Sequence, residues 1–154
     1  MGNLMEQNNN VRRVLTEEST SVQMHLQIMQ NVIQRMSANS ASCKTWCITI
    51  VSAILVLVAD KAKPGLVLLA LLPTFLFLAL DVYYLAMEKA FRSSYNSFVA
   101  KLHCGEVCLE DVYSVVPKGE MSNHQLEALR SFSVWGFYCG LLFLIALAKW
   151  YVLP

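Results

Sequence analysis

Three long apolar runs alternate with polar stretches along this chain. The first spans Ser42 to Ala59 (SCKTWCITIVSAILVLVA), and the second spans Gly65 to Leu80 (GLVLLALLPTFLFLAL), continued by Val82 to Leu85 beyond Asp81. The third covers Phe132 to Ala148 and is closed by Lys149, Trp150 and Tyr151. Each can cross a hydrocarbon layer that needs about 20 helical residues. Only Asp60 to Pro64 separates the first two, so they form an antiparallel hairpin. Trp46, Trp135, Trp150 and the pair Tyr83 and Tyr84 stand at span ends, the level that amphipathic rings prefer.

The polar stretches carry their own periodicity. Val22, Leu26, Met29, Ile33 and Met36 recur every three or four residues, with Gln23, Gln27, Gln30, Gln34 and Arg35 on the other side. This seam of two heptads suits packing on its own chain, on a neighbouring subunit or on the membrane surface. Beyond the second span the same spacing continues through Tyr84, Glu88, Phe91, Tyr95, Phe98 and Leu102 without Gly or Pro. One helix therefore leaves the bilayer and runs on, with Glu88 and Arg92 placed for an intrahelical ion pair. From His103 the pattern dissolves into a loop-rich cap, in which Ser122 and Gln125 have the spacing of a capping box. The predicted organisation is all-α: a flexible segment over 1–20, an amphipathic cytoplasmic helix over 21–41, a transmembrane hairpin over 42–85, a cytoplasmic extension and cap over 86–131, and a third transmembrane helix over 132–154.

Composition agrees with this picture. Apolar residues make up 56% and charged residues 15% of 154 positions, against about 45–50% and about 25% in soluble domains. A signal peptide is a poor alternative, because its apolar region lies near the N-terminus and the first run starts only at Ser42. Myristoylation is equally ill-suited, since Glu6 stands where Ser or Thr is wanted. Basic residues in the flanks set the orientation. Arg12, Arg13, Arg35 and Lys44 precede the first span and Lys89, Arg92, Lys101, Lys118 and Arg130 lie between the second and third, whereas the turn holds Lys61 and Lys63. The N-terminus and the 86–131 segment are thus expected in the cytoplasm.

Net charge is +1, so an anionic ligand needs a local cluster, with Arg35, Lys44, Lys89, Arg92 and Lys101 as candidates. Cys43 with Cys47, and Cys104 with Cys108, are spaced C-x3-C, and Cys139 lies within the third span. Packing is their ordinary explanation, and neither a metal nor a cofactor is expected. His25 and His124 have no nucleophile at a catalytic spacing, and no phosphate loop or nucleophile elbow occurs, so an enzyme is not expected.

Polarity within the spans is more telling. Ser42, Thr45, Thr49 and Ser52 put four hydroxyls on one helical face, suited to a water path or to interhelical bonds. Gly136 and Gly140 make a small-xxx-small surface on the third span, and Pro73 is placed to kink the second. Asp81, at a span end, is expected to face the bundle, a vestibule or a basic partner. Symmetry would turn Asp81 and Glu88 into rings lining a pore. A single copy has too few helices to enclose a path and leaves Asp81 without an obvious partner in its own spans, so a homo-oligomer is expected.

The run from Ile33 to Ala59, then LLPTFLFLALDVYYLAMEKAFRSSYNSF with Asp81, Tyr83, Tyr84, Leu85, Glu88, Phe91 and Arg92, resembles the small membrane effectors of bacterial defence islands, of the SLATT type. It is similar in particular to the membrane effectors of Hailong systems, over about residues 25–100. The resemblance implies a pore-forming antiphage effector in the bacterial inner membrane, gated by a nucleotide or oligonucleotide from a neighbouring nucleotidyltransferase and acting by depolarisation. The third span and the cap depart from the simplest two-span pattern. The competing expectation is a non-conducting membrane adaptor that recruits a soluble partner through 86–131.

Overall fold

The computed structural model describes residues 15–61, 64–112 and 114–151; Arg12 and Arg13, most of the 1–20 segment and Lys63 of the turn lie outside them. Five α-helices account for most of the described chain, without a strand among the described residues: α1 (Thr20–Lys61), α2 (Leu71–His103), α3 (Leu109–Val112), α4 (Met121–Leu129) and α5 (Phe132–Tyr151). α1, α2 and α5 are long and apolar enough to cross a membrane, and the chain is a multi-pass membrane protein.

α1 has 42 residues, about 63 Å at 1.5 Å per residue. That is roughly twice the 30 Å hydrocarbon layer, so the amphipathic segment and the first span are one continuous rod. Ser19 starts it, accepting the amide hydrogens of Val22 and Gln23 on its carbonyl. A 3-10 helix (Pro64–Ala70) leads into α2. The change to α-helix at Leu71 puts Pro73 in the first turn of α2, where a missing N–H is harmless, and not at the mid-span kink its sequence position suggests.

α1 and α2 pack along most of their length, and two cores form between them. In the membrane tier Cys47, Val51 and Val58 of α1 meet Val82 and Ala86 of α2 and Val134, Tyr138, Leu141 and Ile145 of α5. Cys43 and Cys47 are buried on this face while neighbouring Trp46 is 60% exposed, which assigns the thiols to packing. The second tier, beyond the apolar spans, joins Val22 to Phe98, Leu102, Val107 and Val112, with Leu26 against it. The heptad-like seam of α1 thus packs on its own chain.

α2 ends in a Schellman motif. Gly105, at φ +69°, donates to the Leu102 carbonyl and Glu106 to that of Lys101. The capping box at Ser122 does not form: the N-cap of α4 is Glu120, and Ser122 lies inside the helix. Asn123 Nδ2 donates to the Glu120 carboxylate at 3.2 Å and holds the turn instead.

Candidate functional site

Two polar centres stand out, one in each tier. The first lies where the hairpin leaves the membrane tier, because antiparallel packing brings the start of the first span level with the end of the second. Asp81, 0% exposed, points into its own bundle. Lys44 Nζ donates to its Oδ1 at 2.8 Å and lies 2.6 Å from Oδ2, which is paired by charge but lacks hydrogen-bond alignment. Ser40 Oγ, one turn before Lys44, also donates to Oδ1. The Tyr138 ring of α5 lies within range of the carboxylate charge, and its hydroxyl is buried without a hydrogen-bond partner.

The expectation that Asp81 lacks a partner in its own spans is therefore corrected: Lys44 supplies one, across 37 residues of sequence. The missed signal was Ser40 and Lys44, four apart on α1 and facing the same way. Glu88 takes the local pairing its spacing predicts, with its Oε1 2.8 Å from Arg92. Both carboxylates face inward, so neither presents a free charge to the outside of the bundle.

The hydroxyl stripe is placed oppositely. Ser42, Thr45, Thr49 and Ser52 are all exposed on the outer face of α1. Thr45 and Thr49 donate to the carbonyls of Ala41 and Thr45, so the backbone satisfies them. Gly140 on α5 is also outward, with nothing within 4 Å of a Cβ built there, and at Gly136 a Cβ would meet only the Phe132 ring at 3.5 Å.

The second centre is a cavity of about 250 Å³ between the polar end of the hairpin and the cap. α1 contributes His25 and Met29, α2 contributes Ser94, Phe98 and Lys101, and the cap contributes Asp111, Ser114, Val116 and Lys118. Lys101 Nζ donates to Asp111 Oδ1 at 2.9 Å, and Cys108 N–H donates to Oδ2 at 3.2 Å. These bonds hold the Asp111 carboxyl below its ordinary range, and the same pair raises Lys101. His25 packs on Phe98 at 4.6 Å between ring centres, with Nδ1 unpartnered. Burial lowers its pKa, opposed in part by the Asp111 charge. Ser94 Oγ fastens the cap, accepting the Lys118 N–H at 2.8 Å and donating to the Val116 carbonyl at 2.7 Å.

The five candidate anion-binding cations are not gathered into one site. Lys44 is committed to Asp81, Lys89 to Glu127 at 3.3 Å, Arg92 to Glu88 and Lys101 to Asp111. Arg35 is exposed on α1. Sequence reasoning missed His25 and Lys118 as neighbours of Lys101, because they lie 76 and 17 positions away and only the fold of the cap joins them. No family model, curated protein or solved structure matches the chain.

Proposed function

We propose that the protein is a homo-oligomeric pore-forming effector of bacterial antiphage defence, not an enzyme, seated in the inner membrane with its N-terminus cytoplasmic. The observation that carries this reading is the outward face of α1. Ser42, Thr45, Thr49 and Ser52 are exposed at membrane depth while the inner face of the same helix is packed. One copy encloses no path lined by these hydroxyls. Several copies around an axis, each turning α1 inward, would surround a water column with them. The likeness of the motif from Asp81 to Arg92 to defence effectors supplies the biological setting, including control by a nucleotide or oligonucleotide from a neighbouring nucleotidyltransferase. In this arrangement Lys44 and Asp81 brace the closed bundle.

Planar-bilayer recording of purified protein tests the reading. Wild type is expected to conduct, and Thr49→Leu with Ser52→Leu to reduce unitary conductance while the protein still incorporates. Silent bilayers containing verified protein would instead favour the adaptor. That alternative has one observation of its own: Leu109, Val116, Leu126 and Leu129 leave apolar surface exposed on the 86–131 segment.

A further inference from the structure

The cavity beneath the cap combines features that internal packing does not need. Lys118 reaches it from the cap with its ammonium bonded only to the Ser97 hydroxyl, at 2.7 Å, and with no carboxylate partner among the described residues. Lys101 and Asp111 neutralise one another beside it. Counting the lining side chains alone, with His25 neutral, Lys101, Lys118 and Asp111 sum to +1 around a partly enclosed space, and Glu106 lies outside the lining within charge range of Lys101. Met29 and Phe98 give the same space an apolar wall. His25, 2% exposed, adds a ring nitrogen without a partner.

Size and position narrow the occupant. A dry cavity of about 150 Å³ admits benzene, so about 250 Å³ leaves room for a six-membered ring and a charged head. A lipid headgroup is out of reach. Ser94 and Lys101 lie 13 and 20 residues beyond Asp81 on one continuous helix, about 20 and 30 Å along its axis. A soluble ligand is required. Tetrahedral phosphate oxygens suit two separated ammonium groups better than a single carboxylate does, since each lysine acts as a point charge with its own donors.

We infer that this cavity binds a small soluble phosphomonoester, its phosphate held by Lys118 and Lys101 and its ring against Phe98 and Met29. The phosphate competes with Asp111 for Lys101, so occupancy loosens the tie between α2 and α3. The inference does not depend on conduction, because binding is read without a membrane potential.

Isothermal titration of the full-length protein in nanodiscs, with phenyl phosphate, inorganic phosphate and phenol as probes, decides it. Phenyl phosphate should bind saturably and about tenfold more tightly than inorganic phosphate, and phenol should not saturate. Lys118→Gln, an exposed change that leaves the melting temperature alone, should weaken phenyl phosphate about tenfold. Ser114→Trp, which fills the cavity from the cap, should abolish binding. Unchanged affinity in Lys118→Gln, no saturable heat from phenyl phosphate, or equal affinity for inorganic phosphate would overturn the assignment.

Discussion

The partners of the Lys44 and Asp81 pair are unequal: the carboxylate is fully enclosed, whereas the lysine side chain keeps 18% exposure. Removing the ammonium strands a buried charge, which costs about 3–5 kcal/mol in comparable pairs. Removing the carboxylate charge lets the lysine turn toward water along its flexible stem. Lys44→Met should therefore destabilise more than Asp81→Asn, and the double substitution should recover much of the loss. Thermal melting of the three variants in one detergent checks this, and equal losses from both single changes would sink it. His25 makes a second residue-scale prediction. Its folded-state pKa is lowered by burial, so the neutral form is favoured by folding and the stabilisation is fully present above the ordinary value of 6.5. It is lost as pH falls through 6.5 toward the lowered value. The protection factor of the Leu15 amide, which donates to the Val107 carbonyl, should fall on acidification in wild type once the intrinsic pH dependence of exchange is divided out, and should change less in His25→Phe.

Elements differ in how much of them the residues disclose. The helices α1, α2 and α5 were legible because a bilayer demands long apolar runs, and Phe132 opens both the third run and α5. The join between the amphipathic helix and the first span was not, since the change from polar to apolar composition near Ser42 marks a boundary in the sequence although no breaker lies between Met36 and Ser42 to end the helix. Ser122 failed as a cap because the decisive event lies upstream, at Gly119. Its φ is +98°, and a Cβ there would come within 2.5 Å of His124 Nε2, whose ring is bonded to the Lys118 carbonyl at 3.0 Å. Such a turn is written in backbone conformation and not in side-chain spacing. Gly119→Ala should cost about 1–3 kcal/mol locally and loosen the Ser94 clasp. Faster exchange of the Lys118 amide, with the protection of the Val134 amide in α5 unchanged, is the expected signature.

For the molecule as a whole, the outer surface decides between a solitary bundle and an assembly. Gly136 and Gly140 were singled out in the sequence as a surface for close helix approach, and the structure leaves that approach unused within one chain. Gly140 borders open space, and an added side chain at Gly136 meets only the edge of Phe132 at ordinary contact distance. Leucine at Gly140 therefore has no internal clash to relieve, and its effect on the melting of an isolated copy should stay within about 0.5 kcal/mol. Between copies the result is opposite. A leucine holds two helices apart where glycine lets the backbones touch, and membrane helices associate through such packing because lipid offers no hydrophobic gain. Gly140→Leu should shift the population from oligomer to monomer in native mass spectrometry from gentle detergent, and conductance should fall in proportion. An oligomer of unchanged size and abundance would show that Gly140 takes no part in joining copies, and the proposed contact would then move to the hydroxyl face of α1.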